Sequence, residues 1–193
     1  MSKLFVVIIL VVVGFFVYQN YAGSSGEFDS NGNPKTVLIV SDHCPPCRDA
    51  ENYLTRKKVE YEIISAKDGQ RVPLLKVGNS SFAGFNENQF LSVLGKEFGL
   101  AKLTKSDAYP FKFNFNTVGQ PRVVMYGTSW CGYCKQAKTY FSDNNIEYIE
   151  YDIESDSSAN QRFLRLQGAG TPLIYFGFDR IEGFNERRLD EVL

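Results

Sequence analysis

The chain carries one redox constellation twice. The first copy reads Cys44-Pro45-Pro46-Cys47, then Val72-Pro73-Leu74-Leu75, then Gly84-Phe85-Asn86-Glu87. The second reads Cys131-Gly132-Tyr133-Cys134, then Thr171-Pro172-Leu173-Ile174, then Gly183-Phe184-Asn185-Glu186. From the proline to the Gly-Phe-Asn-Glu run the step is 11 residues in both copies. All 4 cysteines fall in the two pairs, which leaves none for a structural staple and points to dithiol chemistry. A Cys-x-x-Cys at a strand-to-helix junction sets its first sulfur beside unpaired backbone N–H groups and the positive end of the helix dipole. Both favour the thiolate over the thiol, so Cys44 and Cys131 are the candidate nucleophiles. Cys47 and Cys134 lie about one turn further on and would resolve the mixed disulfide that the first sulfur forms. Pro45 and Pro46 each lack an N–H, so the first copy offers its thiolate fewer donors than the second, where Gly132 keeps one. His43, the only histidine, directly precedes Cys44; when protonated it would favour the thiolate further. Pro73 and Pro172 open strands that should face the cysteine pairs, and a cis bond there would expose the backbone of Val72 and Thr171 to an extended substrate.

Positioning these residues requires alternating strands and helices. Apolar β-rich runs at 36–40, 61–65 and 74–77, a short strand near 81–82, and helical patterns at 45–57 and 87–98 make up the first unit. Runs at 122–126, 148–151, 173–176 and 180–181, with helices at 132–144, 157–167 and 186–193, make up the second. The order βαβαββα is α/β, two thioredoxin-like domains with mixed four-stranded sheets. Between the second cysteine and the proline lie 25 residues in copy one and 37 in copy two, so the first unit should lack the middle helix. Its seven connecting residues, 66–72, can still bridge two strand spacings of about 4.8 Å. Residues 99–120 read as a linker in which Phe111, Phe113 and Phe115 alternate with polar residues. That pattern predicts an extended edge strand or a cover for the thinner face of the first unit, with an aromatic substrate strip as the sharper reading.

A net charge of -1 supplies no basic footprint, so nucleic acid is not an expected partner. Leu4 to Tyr18 is an unbroken apolar run, followed by the Gly/Ser/Asn-rich stretch 23–35, which reads as a flexible tether. Fifteen helical residues rise about 22 Å against a hydrocarbon core of about 30 Å, so spanning needs a thinned bilayer or interfacial help from Tyr18 and Tyr21. Residues 1–22 are therefore expected to be a membrane anchor, with a cleaved signal as the alternative. Lys3 on one side and Glu27 and Asp29 on the other would place the redox units outside the cytoplasm, facing a bacterial periplasm or another oxidising lumen. The domains that follow are 36–98 and 121–193.

Trp130-Cys131-Gly132-Tyr133-Cys134, Gly170-Thr171-Pro172 and Gly183-Phe184-Asn185 together resemble the glutaredoxin family of the thioredoxin superfamily. The resemblance covers 122–193 fully and 36–98 in shortened form. It implies that the first cysteine attacks, that the proline is cis, and that Tyr133, Thr171, Pro172, Gly183, Phe184 and Asn185 contact substrate, with Val72 and Pro73 as counterparts in the first unit. No resident cofactor or metal is expected, and glutathione is the candidate co-substrate that the family suggests. Phe184 stands where family members carry a second glycine, and Thr128 where many carry a basic residue. Gly-Phe is similar to glutaredoxin-like redoxins served by thioredoxin reductase, Thr171 to exported disulfide reductases and isomerases, and Trp130 to thioredoxins.

The expected activity is thiol–disulfide exchange with disulfide-containing or dithiol proteins, drawing on a separate redox donor or acceptor. Tethering two dithiols on one chain raises their effective concentration for each other, which suggests electron relay between them. Three other readings compete. Cys131-Gly132-Tyr133-Cys134 is similar to motifs that bridge an iron–sulfur cluster between protomers. Four cysteines could also make a zinc site, although 83 residues separate Cys47 from Cys131. The first unit could instead be a non-catalytic binding module.

Overall fold

The computed structural model describes residues 26–193, and the apolar run 4–18 lies outside them. Among the described residues no helix is long and apolar enough to cross a membrane. The first unit runs β1 (Thr36–Val40), α1 (Pro45–Arg56), β2 (Glu62–Ser65), β3 (Leu74–Val77), β4 (Ser80–Ala83) and α2 (Glu87–Phe98). A connector with α3 (Lys105–Phe111) leads to the second unit. That unit comprises β5 (Val123–Gly127), α4 (Gly132–Asp143), β6 (Tyr148–Asp152), α5 (Ser157–Arg165), β7 (Leu173–Phe176), β8 (Asp179–Glu182) and α6 (Glu186–Asp190). The sheets have orders β2-β1-β3-β4 and β6-β5-β7-β8, each with one parallel pair and two antiparallel pairs. Both are thioredoxin-like.

Helix α1 buries Cys47, Ala50, Tyr53 and Leu54, a stripe at helical spacing, against Leu38, Leu75 and Val77 of the sheet and Phe90 and Leu94 of α2. In the second unit α4 lays Ala137 and Phe141 on Met125 and Ile174. The opposite face, Val124, Tyr126, Leu173 and Tyr175, is covered by Phe163 and Leu166 at the α5 end. Leu91 of α2 and Phe111 of α3 join this second core, so the first unit and the connector complete the packing of the second.

The connector departs from the extended strip that its alternation suggested. Thr104 caps α3 by accepting the Asp107 N–H, and the chain continues through a 3₁₀ turn at Lys112–Asn114. Phe111 and Phe115, four residues apart, both meet Phe178. Phe113 meets Tyr151 and the Arg162 guanidinium. A spacing of four suits a helical turn as well as a strand, and burial of these rings on the second unit decides between them. The connector thus covers the second unit, and Leu103 together with the Lys57–Asp107 ion pair at 2.7 Å also fastens it to the first.

Residues 26–35, read from composition as flexible, form a loop fastened to the first sheet. Glu27 bridges Gly78, Phe28 bridges Pro34, and Asp29 Oδ1 accepts the N–H groups of Asn31 and Asn33. Glu27 also pairs with Lys76. Between β2 and β3 there is no helix, and all four residues of β2 are exposed.

Candidate active site

Each dithiol sits where a core strand turns into a helix. Cys44 and Cys131 are the N-cap residues of α1 and α4, and their Sγ atoms accept the N–H of Cys47 at 3.2 Å and of Cys134 at 3.0 Å. Each pair is joined as a disulfide, with Cα separations of 5.3 and 5.2 Å. The first sulfur of each pair therefore occupies the position at which the helix terminus stabilises negative charge. Cys47 and Cys134 are fully buried on the inner side, which suits a resolving role. Cys131 is buried too, whereas Cys44 is partly open.

Val72–Pro73 and Thr171–Pro172 are both cis. The Pro73 carbonyl accepts the Gly84 N–H at 2.7 Å, and the Pro172 carbonyl accepts the Gly183 N–H at 2.8 Å. Gly84 and Gly183 have φ of 101° and 71°, a conformation that favours glycine and explains its place in both loops. The same hydrogen bond thus ties the Gly-Phe-Asn loop to the proline strand in each unit.

A groove of about 440 Å³ lies beside Trp130, the residue before Cys131, walled by Thr128, Trp130, Ile153, Glu154, Gly170 and Thr171, with neither Cys131 nor Cys134 in its lining. Trp130 is 69% exposed and is steadied by donation from its Nε1 to Glu154 Oε2 at 2.9 Å. Thr128 is buried and its Oγ1 has no protein partner among the described residues. A groove of about 650 Å³ adjoins the first dithiol, walled by Val40, His43, Cys44, Cys47, Arg48, Glu51, Ser65 and Ala66.

The structure brings Thr171 and Trp130 together across the second groove, with Pro172 buried behind. Tyr133 stands exposed on the first turn of α4. Phe184 packs its ring on Tyr140, and Asn185 caps α6 by accepting the Arg188 N–H at 3.1 Å. These two residues, together with Gly183, lie outside the lining of the second groove, and Val72 and Pro73 lie outside the lining of the first. Tyr140 donates to Asp190, and this hydrogen bond, with a smaller contribution from burial, holds its phenol up to about 12. Among the described residues no group of three or more His, Cys, Asp or Glu converges, and each cysteine pairs within its own unit.

Three positions had no sequence signal. Glu154 lies 24 residues from the Trp130 that it holds. Lys138 on α4 pairs with Glu150 on β6 at 3.0 Å. Arg180 donates to the carbonyls of Leu166 and Gln167 and to the Tyr175 hydroxyl, tying β8 to the segment that leads to Thr171. All three contacts join separate elements, and only the folded sheet shows them.

Residues 123–181 match the family model described as Glutaredoxin. An uncharacterised glutaredoxin-like 8.6 kDa protein from the rubredoxin operon of Clostridium pasteurianum is 26% identical over 72 residues, 37% of this chain and 96% of that one. A putative glutaredoxin of Mycobacterium tuberculosis is 49% identical over 37 residues, 19% of this chain, and the match spans only 44% of that relative. Among solved structures, the thioredoxin-like protein BC3987 matches with a TM-score of 0.36 and 26% identity, covering 37% of this chain and all (100%) of that one. The glutaredoxin grx-1 of Archaeoglobus fulgidus matches with a TM-score of 0.34 and 21% identity, covering 37% and 84%. The chain contains a glutaredoxin-like domain of thioredoxin-like fold, with two Cys-x-x-Cys pairs suited to thiol redox chemistry.

Proposed function

We propose that this chain is a thiol–disulfide oxidoreductase that exchanges protein disulfides through Cys131/Cys134 and Cys44/Cys47. The observation that carries this reading is the repeated geometry: twice, an N-cap cysteine accepts its partner's N–H, and twice a cis-proline strand is bonded to a Gly-Phe-Asn loop. In the reducing direction the Cys131 thiolate attacks a substrate disulfide, forming one S–S bond and releasing one substrate thiolate. The Cys134 thiolate then attacks Cys131 Sγ, releasing the second substrate thiol. The dithiol has lost two electrons to the substrate, and the oxidising direction is the same sequence reversed. The Cys134 N–H steadies the Cys131 thiolate between turnovers. Trp130 and Thr171 flank the second groove as substrate contacts.

The apolar run 4–18 supports tethering to a membrane with both units outside the cytoplasm. The two Cys-x-x-Cys sequences differ in their middle residues, which supports different potentials and a relay from one dithiol to the other. Reduction of a protein disulfide by dithiothreitol, followed with the full chain in mild detergent, tests the exchange chemistry and the relay. Cys131→Ser should lower turnover at least about tenfold, since no other thiolate occupies that helix terminus. Unchanged turnover would remove Cys131 from the chemistry. Full turnover in a Cys44→Ser/Cys47→Ser chain would sink the relay.

A further inference from the structure

The two units differ at one matched pair of positions. In the second, Lys138 lies seven residues after Cys131 and pairs with Glu150, which stands opposite Met125 in the β5–β6 ladder. In the first, the residue seven after Cys44 is Glu51, and the residue opposite Leu38 in the β1–β2 ladder is Ile63. The ion pair that closes α4 onto β6 thus has no counterpart between α1 and β2. Glu51 lines the open groove at the first dithiol, and Ile63 is 52% exposed.

Strand β2 is also an outer strand, and among the described residues no strand pairs with its far side. The Ala66 N–H bonds inward to the Val40 carbonyl. By the period of two, the N–H and C=O groups of Ile63 and Ser65 point away from β1. Exposed edges in native sheets are usually blunted by charge, proline, a bulge or a covering segment. Here the middle of the edge is Ile63-Ile64, with Ile64 46% exposed, and no helix follows β2 to cover it. The strand ends at Ser65, which with Ala66 walls the groove that holds Cys44 and Cys47.

We propose that β2 is a docking edge for an extended, cysteine-bearing segment of a protein partner, which adds a strand outside β2 and delivers its sulfur to Cys44. The dithiol at the end of the edge strand identifies the occupant as a polypeptide with a thiol or disulfide. Glu60, exposed just before the strand, and Asp42 and Glu51 in the groove, against Arg48, favour basic side chains beside the apolar ones, while Glu62 is already paired with Lys35 at 2.8 Å. The backbone pairs supply affinity, while Ile63 and Ile64 seat alternate side chains on the two faces. The proposal rests on the oxidoreductase reading of the first unit; β6 is likewise an outer strand, but its Ile149 and Tyr151 are half-buried against the second core where Ile63 and Ile64 are exposed.

The probe is a ten-residue peptide of alternating valine and lysine that ends in one cysteine, held as a disulfide to thionitrobenzoate. In a Cys47→Ser chain the Cys44 thiolate attacks the peptide sulfur, the peptide becomes disulfide-linked to Cys44, and thionitrobenzoate leaves as the anion. A peptide N-methylated at alternate residues should react about tenfold more slowly, because several main-chain hydrogen bonds are lost. Ile63→Lys/Ile64→Lys should slow the parent peptide similarly, and hydroxyethyl disulfide should react at one rate throughout. Docking is read separately, without thiol chemistry, in a Cys44→Ser/Cys47→Ser chain given the serine version of the peptide. Slowed amide exchange at Ile63 and Ser65 supports the proposal. Failure of Cys44 to react with any disulfide would defeat the redox reading, while amide protection would still decide docking. Equal rates for the two peptides with no protection would overturn the proposal, as would dimerisation of the chain through β2 without peptide protection.

Discussion

Gly95→Ala gives a result whose sign depends on how the two units are joined. Gly95 lies inside α2, where alanine in place of glycine ordinarily stabilises a helix by about 1 kcal/mol. An added Cβ would, however, overlap the ring of Phe178 in the second unit, with Cδ1 at 2.6 Å and Cζ at 2.7 Å among the atoms met. That ring is buried and held by Phe111 and Phe115, each with its centroid 5.1 Å away, so it has little room to move. Overpacking of this kind costs about 1–3 kcal/mol, which leaves Gly95→Ala net destabilising by about 0–2 kcal/mol. In a Phe178→Ala background the overlap is gone, and the same substitution should stabilise by about 1 kcal/mol. Urea unfolding of the full chain in mild detergent, with both single variants and the double variant, measures this coupling directly. If Gly95→Ala stabilises equally with and without the Phe178 ring, the two units do not share the core described above.

Arg180→Leu leaves the Tyr175 hydroxyl and the Leu166 carbonyl without their donor, at about 1–3 kcal/mol for each buried group, so urea unfolding should show a loss of about 2–6 kcal/mol. Arg180→Lys should recover little of this, because one ammonium cannot reproduce the fork. Trp130→Phe removes an exposed side chain's bond to Glu154 and should change stability by less than about 0.5 kcal/mol while raising KM for a protein disulfide more than it lowers kcat. Asn185→Ala should cost about 1 kcal/mol as a lost helix cap, and Asn185→Asp should retain both stability and turnover, since the carboxylate still accepts the Arg188 N–H.

The local parts of the fold were legible in the sequence because local chemistry dictates them. β1, β3, α2 and β7 occupy the ranges that their apolar runs imply, and the shorter spacing from Cys47 to Pro73 foretold the missing helix. The connector was misread because Phe111, Phe113 and Phe115 satisfy a period of two while Phe111 and Phe115 also satisfy a helical turn. What decides is Phe178, distant in sequence. Residues 26–35 were misread because Gly, Ser and Asn serve tight turns as readily as flexible chain, and the pairing of Glu27 with Gly78 has no local trace. At the site, the cysteines and prolines announced themselves by repetition. Glu154, Lys138 and Arg180 did not, since each acts on a residue of another element. Asn185 illustrates the reverse case: a polar residue in a suggestive loop whose side chain caps a helix.

The reduction potential of each dithiol tests the central claim most directly. The full chain, with either pair replaced by serine, would be equilibrated in thiol buffers and its free thiols counted by labelling. Redox-active sites should titrate between about -270 and -120 mV, the span from thioredoxin to a strong periplasmic oxidant. A pair that stays oxidised below about -300 mV would be a structural disulfide, and the unit that carries it would not be an oxidoreductase.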